Sequence, residues 1–382
     1  MARYGCTITV AAGKIPSSQS NFGWVATEAN FPTAAIDGGA QSILNGGGNL
    51  RCYTDDTKAT QIPVEVVAFV TGGTPVVQVW GLSPTLAVAS TVYIEADTVA
   101  TSQPIVTDTY GRNSVWSNDI SRYHLGVGTG NAIDSAGAVD GVLAGVATTQ
   151  AAAIAGYGNS TNLNDASWYT RSDPTIGATQ FGSSVWINFD VILGVSNAIY
   201  GAWPADNTKM SVLWWTTAAG KVNCRIKNVS GTIFTALGVS VLSVSTDYKL
   251  SMSYDGSNLK TYINGVQDAT VSMTGQIATA TAPFTLFEYN SLINLSGKVQ
   301  DLRLSGSKTA NFELAEYNNQ DDASTFWTTS AWTDQDGGGG TTGTITQTAS
   351  SFTQSLAGTV VLPSTTGTIT QTTGSFTQSL AG

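Results

Sequence analysis

The sequence predicts an all-β protein with two β-sandwich domains, followed by a glycine-rich linker and a short tail of β-strand repeats. Three observations lead to this prediction. Apolar and polar residues alternate with a period of two along most of the chain, as in strands with one buried face. Asp-Gly and Asn-Gly pairs interrupt these stretches, and both favour tight hairpin turns. A helical pattern occurs over one short segment, residues 311–320.

The stretch FGSSVWINFD, residues 181–190, shows the alternation most clearly. Positions 181, 185, 187 and 189 are apolar, whereas 182, 184, 188 and 190 are polar or glycine, with Trp186 as the exception. We therefore expect a half-buried strand. Residues 248–273 predict a meander with turns at Asp255-Gly256 and Asn264-Gly265. The predicted core of the second sandwich includes Phe181, Val185, Ile187, Leu250, Met252, Leu302 and Leu304.

Changes in composition divide the chain into four parts. Residues 1–110 carry dense β runs and form the predicted N-terminal sandwich. Residues 111–332 form the second sandwich and contain the helical segment NFELAEYNNQ, with Asn311 as its predicted cap. Residues 333–340, TDQDGGGG, predict a flexible linker. Residues 341–382 hold two copies of a Thr/Ser/Gln phrase.

The composition excludes several classes of protein. The chain has 382 residues, a net charge of −10 and only 11% charged residues. No basic cluster is apparent among its sixteen lysines and arginines, so we expect no nucleic-acid partner. No stretch has the pattern of a signal peptide or a membrane span. Cys6, Cys52 and Cys224 lie far apart without paired spacing, which predicts free thiols.

Several segments carry a resemblance to a known family. In chain order they are YHLGVGTGNAIDSAG, FGSSVWINFD, YKLSMSYDGSNLKTYINGV, GKVQDLRLS and LAEYNNQDDASTFW. Together they resemble the LamG-like, concanavalin A-like jelly roll often seen in bacterial surface and phage proteins, over roughly residues 122–330. The resemblance implies a jelly-roll sandwich with a role in surface display or ligand binding. It does not identify a ligand.

The N-terminal part is similar to the β-domain of unknown function that commonly precedes such jelly rolls. The shared landmarks are NFPTAAID, NLRCYTDD, IPVEVVAF, VVQVWGL, STVYIEAD and SVWSNDISRYHL. The aromatic-glycine ending that is usual after the last strand is replaced here by Glu95-Ala96-Asp97. At that point the chain departs from the family pattern.

The residues needed for catalysis are sparse. A glycosidase needs two carboxylates about 5–9 Å apart, but the chain has six glutamates and no Glu-x-Asp-x-Glu cluster. His124 is the sole histidine, and no Gly-x-Ser-x-Gly nucleophile motif accompanies it, so we interpret it as structural. One histidine without paired cysteines also argues against zinc. We therefore expect no enzymatic activity.

Two kinds of binding residue remain. The resemblance to jelly rolls that hold calcium points to four loop aspartates, with solvated loop acids as the competing interpretation. These are Asp134, Asp140, Asp165 and Asp173. A glycan would instead stack on an exposed aromatic ring. Neighbours on a strand face opposite sides, so one ring of the Trp-Trp pair should face outward, and a loop or subunit covering that ring is the alternative. The candidates are Tyr200, Trp203, Trp214 and Trp215.

The two C-terminal repeats share a 24-residue period, and each carries one Ile and one Phe as its dominant apolar anchors. Units with so few apolar residues cannot bury a core alone. Pairing with another chain is therefore the predicted role, and a disordered Ser/Thr tail is the alternative. The anchors are Ile345, Phe352, Ile369 and Phe376.

These features together favour a phage virion structural protein, made in the host cytoplasm and displayed on the head or tail as a decoration, fibre or adhesin. The expected partners are other virion subunits, further copies of this chain in a homo-oligomer such as a trimer, and host-surface glycans. No cofactor is certain, and Ca²⁺ is the one candidate. A bacterial cell-surface carbohydrate-binding adhesin is the alternative function. A glycoside hydrolase is the third class considered.

Overall fold

The computed structural model describes residues 3–126, 128–163, 166–175, 177–192, 194–203, 210–280, 283–289 and 293–335. Strands dominate this part of the chain and form two β-sandwiches. The predicted all-β fold is therefore confirmed. Among the helices of these ranges, none has the length and apolar character that a membrane span requires.

The first sandwich is built from the first seven strands of the chain, with a 3-10 turn at Glu28–Asn30 and two one-turn helices beside it. The helices are α1 (Thr33–Ile36) and α2 (Arg112–Val115). The strands are β1 (Tyr4–Val10), β2 (Gln19–Thr27), β3 (Leu50–Tyr53), β4 (Gln61–Ile62), β5 (Val64–Val70), β6 (Val76–Leu86) and β7 (Thr91–Ala96).

The second sandwich is built from the next seventeen strands. They are β8 (Asp119–Tyr123), β9 (Val142–Gly145), β10 (Thr149–Ala152), β11 (Asn159–Leu163), β12 (Ser167–Arg171), β13 (Phe181–Phe189), β14 (Asn197–Gly201), β15 (Val212–Thr216), β16 (Lys221–Lys227), β17 (Ile233–Val241), β18 (Asp247–Tyr254), β19 (Asn258–Ile263), β20 (Val266–Ser272), β21 (Phe284–Leu286), β22 (Glu288–Tyr289), β23 (Ile293–Asn294) and β24 (Gly297–Ser305).

The chain then returns to the first sandwich through α3 (Ala310–Asp321), α4 (Ala323–Phe326), β25 (Trp327–Thr329) and β26 (Thr333–Asp334). Both strands pair antiparallel with β1, so the six-stranded sheet runs β25-β1-β7-β3-β4 with β26 also on β1. The opposing sheet is β2-β6-β5. Thr333 and Asp334, predicted as the start of the linker, therefore belong to a strand.

The second sandwich has two large antiparallel sheets. One has eight strands in the order β10-β11-β24-β13-β18-β19-β20, with β8 also on β24, and the other has seven, β17-β16-β15-β14-β21-β12-β9. All seven residues of its predicted core are fully buried between these sheets. Asn264 and Gly265 both have positive φ, 51° and 76°, as a two-residue hairpin turn requires.

The return segment completes the hydrophobic core of the first sandwich. Phe312, Phe326 and Trp327 pack among strand residues of both its sheets. Asn319 binds the backbone of Val25 through both ends of its amide, at 2.7 and 3.0 Å. The N-cap of α3 is Thr309, whose hydroxyl accepts from the amide of Phe312, so the predicted cap at Asn311 was wrong. The domain boundaries at residues 110 and 332 remain predictions from the sequence.

The face of β13 that was predicted to be polar and solvent-exposed is covered. Ser184 and Trp186 are buried, and Trp186 Nε1 donates to Gln320 Oε1 of α3 at 2.8 Å. Trp186 also packs in a cluster with Val25 and Trp80 of the first sandwich. The prediction that β13 is only half buried was therefore wrong, because the first sandwich and α3 cover the second face of the eight-stranded sheet.

Replacing Phe326 by alanine should reveal how much the first sandwich depends on the return segment. Phe326 is fully buried, with its ring 6.5 Å from that of Phe22. We expect Phe326→Ala to lower the free energy of unfolding by about 3–5 kcal/mol, measured by urea unfolding. The exposed Thr328→Ala on the neighbouring strand is the control, and equal effects of the two variants would contradict the role of the segment.

Candidate functional site

The structure separates the four aromatic residues that the sequence proposed for ligand binding. Tyr200 and Trp214 are fully buried in the core between the two sheets. A ligand cannot reach either ring, so a contact role for these two residues was wrong. On β15, Trp214 faces inward and its neighbour Trp215 faces outward, as alternation along a strand requires of adjacent residues.

The outward side of the seven-stranded sheet carries a second, smaller aromatic cluster, which we call the outer face. Trp203, Met210 and Leu213 form its buried base, and Trp215 and Tyr289 pack against them while remaining partly exposed. Trp203 is only 3% exposed, so it supports the surface. Trp215 and Tyr289 are the rings that a ligand can contact. The sequence-based prediction that Trp215 binds a ligand remains a prediction.

Arg225 on β16 lies between the two tryptophans of the outer face. Its Cζ is 5.5 Å from the centre of the Trp203 ring and 5.2 Å from that of Trp215, within the range of a cation–π contact. Its Nε donates to Thr235 Oγ1 of β17 at 3.2 Å. The side chain is partly exposed. Two indole rings and a hydroxyl therefore hold the guanidinium in one place at the surface.

Strand β16 also brings other polar groups to this face. Lys221, Asn223, Arg225 and Lys227 alternate along KVNCRIK and so share one side of the strand. Asn223 pairs in register with Trp215 on one side and Leu237 on the other. It is 5% exposed, and its Oδ1 has no hydrogen-bond partner among the described residues. The outer face thus combines aromatic rings, amide groups and positive charge.

Sequence reasoning found Trp203 and Trp215 but missed Arg225, Asn223 and Tyr289. A search for contiguous basic runs passes over KVNCRIK, because uncharged residues separate its three cations. Applying strand alternation to this segment collects all three on one face, and that signal was available. Tyr289 lies more than sixty residues further along the chain, and nothing local to it indicates a site.

The predicted calcium site is not formed by the aspartates that the structure describes. Asp134 accepts hydrogen bonds from four backbone amides, including that of Arg122 at 2.9 Å, and Asp140 accepts from the amide of Asp134. Asp173 accepts from Ser211 Oγ and Thr175. These carboxylates order loops. Asp165 lies outside the described residues. Among the residues that the structure describes, no group of three Asp, Glu, His or Cys side chains could hold a metal ion.

His124 lies in a buried network where the two sandwiches meet. Its Nε2 is 3.0 Å from Glu65 Oε2 of the first sandwich, and its Nδ1 is 3.1 Å from Asp301 Oδ1 of the second. Its ring stacks on Trp80 at 5.3 Å. Burial by itself would lower the pKa of His124, but the charge of Glu65 and the hydrogen bonds with both carboxylates raise that pKa to about 9. The imidazolium therefore bridges the sandwiches.

The same network continues through Arg122 to helix α3. Arg122 pairs with Asp301, through Nε at 2.7 Å, and with Glu316 Oε1 at 3.3 Å. Arg303 Nη1 lies 2.7 Å from that Glu316 oxygen, and Lys249 pairs with the other. A cavity of about 10 Å³ borders Arg122, Arg303 and Glu316, room for about one water molecule. This cavity is too small for a sugar.

The pH dependence of stability should show the contribution of His124. Its pKa is about 9 in the folded protein against an ordinary 6.5, so its stabilisation is complete below pH 6.5 and is lost as the pH rises through about 9. We expect the stability difference between the wild type and His124→Gln to fall by on the order of 2 kcal/mol from pH 5 to pH 8.

Urea unfolding at each pH measures this difference. The variant is subtracted because other groups also titrate. Burial lowers the pKa of Lys249 to about 8, so this lysine begins to lose its proton, and to change the stability, at the upper end of the range. Lys249 is present in both proteins, so its effect cancels in the comparison. A difference that stays constant from pH 5 to pH 8 would contradict the charged bridge.

The anchors of the C-terminal repeats, Ile345, Phe352, Ile369 and Phe376, lie outside the described residues. Their assembly role therefore remains a prediction from the sequence.

No protein-family model and no curated protein matches the chain. Solved structures do match. Domain 4 of an extracellular arabinanase from Geobacillus stearothermophilus, in complex with arabinotriose, is 19% identical with a TM-score of 0.41, covering 52% of this chain and 98% of that one. The CBM40 of a Ruminococcus gnavus sialidase bound to α2,3 sialyllactose is 13% identical with a TM-score of 0.36, covering 41% and 95%. The ligand-binding domain of botulinum neurotoxin serotype D, in complex with N-acetylneuraminic acid, is 11% identical with a TM-score of 0.40, covering 53% and 50%. These neighbours are carbohydrate-binding domains.

Proposed function

We propose that this protein binds glycans through the outer face of its second sandwich, without cleaving them. The observation that supports this function is the pair of partly exposed rings, Trp215 and Tyr289, over a base that contains Trp203. Sugar rings stack on such surfaces, and nearby amides and hydroxyls hydrogen-bond their hydroxyl groups. Asn223 and Thr235 place such groups beside the rings.

The acidic residues favour binding over catalysis. A hydrolase needs two carboxylates that reach the scissile bond. Glu65 and Asp301 are buried and both pair with His124. Glu95, which stands two positions before Asp97 in the sequence, is fully buried and pairs with Lys58 at 2.9 Å. Strands β15, β16 and β17 of the outer face contain no Asp or Glu.

We further propose that the protein is displayed on the surface of a phage particle, on its head or tail. The low content of charged residues, the three buried free thiols and the resemblance to jelly rolls of phage proteins support this setting. Display on a bacterial surface as an adhesin is the alternative, and it shares the same binding face. Labelling this protein and locating it, either in intact phage particles or on the bacterial surface, distinguishes the two settings.

Substituting adjacent tryptophans on β15 separates binding from folding. Trp215→Ala should weaken glycan binding by about 1–3 kcal/mol with little loss of stability, because only a partly exposed ring is removed. Trp214→Ala should instead lower the free energy of unfolding by about 3–5 kcal/mol, because it empties the core. Calorimetry against a glycan panel measures the first effect and thermal unfolding the second.

Trp332→Ala is the matched control, since Trp332 is a partly exposed tryptophan of the first sandwich. Binding that survives Trp215→Ala as well as it survives Trp332→Ala would remove the support for the outer face. Incubation with the same panel should release no reducing ends. Sustained turnover that disappears when a single Asp or Glu is neutralised would overturn the binding function.

Deleting residues 341–382 should abolish oligomerisation or incorporation into the particle and leave both sandwiches folded. Within the residues that the structure describes, the return segment packs on the first sandwich through contacts up to Gln335, all upstream of the deletion. Threonine-rich strand-like segments gain most from pairing with another chain. Light scattering and thermal unfolding measure the two outcomes. A truncated chain that assembles as well as the full one would show that the repeats are not needed for assembly.

A further inference from the structure

We propose that Arg225 makes the outer face selective for sugars that carry a carboxylate, that is, sialic or uronic acids. This inference rests on the glycan-binding function proposed above and narrows it to one class of ligand. Three features of the outer face support it: the way the guanidinium is held, the charge of the surrounding strands, and the distance between the cation and the exposed ring.

The guanidinium of Arg225 is positioned to receive a planar anion. Its Nε donates a hydrogen bond to Thr235 Oγ1, which leaves the edge formed by Nη1 and Nη2 for a ligand. That edge matches the two oxygens of a carboxylate and binds them with two parallel hydrogen bonds. Within the described part of the chain, neither Nη atom has a hydrogen-bond partner and no carboxylate lies within ion-pair distance of it.

The two tryptophans reduce the entropic cost of using this arginine. A free arginine side chain loses considerable rotamer freedom when it orders around a ligand. Arg225 is already confined between Trp203 and Trp215, with its Cζ 5.5 and 5.2 Å from the ring centres. A lysine cannot replace it there, because an ammonium group has neither the planar fork nor the stacking surface.

The surrounding charge favours an anion at this position although the chain as a whole is acidic. Lys221, Arg225 and Lys227 share the outward side of β16, while the net charge of the chain is −10. Strands β15 and β17, on either side, contribute no acidic residue. A local positive field in a negative molecule attracts anions to that surface and repels them elsewhere.

The geometry favours an acidic sugar over an isolated anion. The Arg225 guanidinium lies 5.2 Å from the centre of the partly exposed Trp215 ring, so one monosaccharide can stack on the indole and reach the cation with its carboxylate. Tyr289 packs against the same cluster of Trp203, Met210 and Leu213 as Trp215 does. Its ring therefore borders the same position. Aromatic stacking and a charged fork are combined at one subsite.

Calorimetry on the full-length protein tests the inference with two matched pairs of sugars. The first pair is 3′-sialyllactose and lactose, and the second is trigalacturonic acid and the galactotriose of the same linkage. We expect the acidic member of one pair to bind about tenfold more tightly than its neutral partner. The pair that shows the preference identifies the source of the carboxylate. Methyl-esterified acid should bind like the neutral sugar, a test that needs no mutation.

Substitution then assigns the preference to Arg225. Arg225→Lys keeps the charge but removes the fork, so the ratio of acidic to neutral affinity should fall about tenfold. Arg112→Lys on α2 is the matched control and should leave that ratio unchanged. Thermal unfolding verifies that both variants are folded.

Three results would overturn the inference. Equal binding of the acidic and neutral members of both pairs would overturn it while leaving the glycan-binding function intact. A preference that persists in both Arg225→Lys and Arg225→Gln would show that another group recognises the acid. Failure of the wild type to bind any sugar of these pairs or of the wider glycan panel would overturn the binding function and this inference with it.

Discussion

The arrangement of the two sandwiches depends on the carboxylate of Glu316 in helix α3. Arg122, Arg303 and Lys249 all make ion pairs with it, and all four side chains are almost completely buried. Each of these charges alone would be several kcal/mol unfavourable in such a place, because burial removes its hydration. Together the groups stabilise one another, and Asp301, His124 and Glu65 extend the set into the first sandwich. The first sandwich and α3 can therefore cover the charged second face of the eight-stranded sheet only because these opposite charges pair with one another.

This constraint assigns different tasks to the two sheets of the second sandwich. The eight-stranded sheet is used for attachment, and its hydrophobic contacts with the first sandwich, such as Trp186 against Val25 and Trp80, surround the ion network. The seven-stranded sheet has its outward side turned away from that junction. This side carries Trp215 and Arg225, and Tyr289 packs against the same cluster. The glycan proposed to bind there would not contact the buried network. Such a division suits a protein that is held at one side and displays a binding surface at the other.

The sequence predicted much of the second sandwich because its signals are local. Alternation placed Val185 and Leu250 in the core, and Asn264-Gly265 formed the expected turn. The candidate site was predicted only in part. Trp215 was identified together with Trp214, but the alternation that separates them does not say which of the two faces the core. Arg225 was passed over because its neighbours in space, Trp203 and Thr235, come from other parts of the chain. Distant partners also explain why the burial of Trp186 was not predicted, since its hydrogen-bond partner Gln320 is 134 residues away.

By itself, the sequence determined which residues share a face, where the hairpins turn, and that the fold is built from strands. These properties follow from backbone geometry over a few residues, which side-chain alternation and glycine placement report directly. Only the tertiary structure decided what lies against each face. It placed α3 and the first sandwich over a charged sheet, and it held Arg225 between two tryptophans. Such contacts join residues far apart in the chain, as Asn319 and Val25 are across 294 positions, and no local pattern encodes which distant partner will arrive.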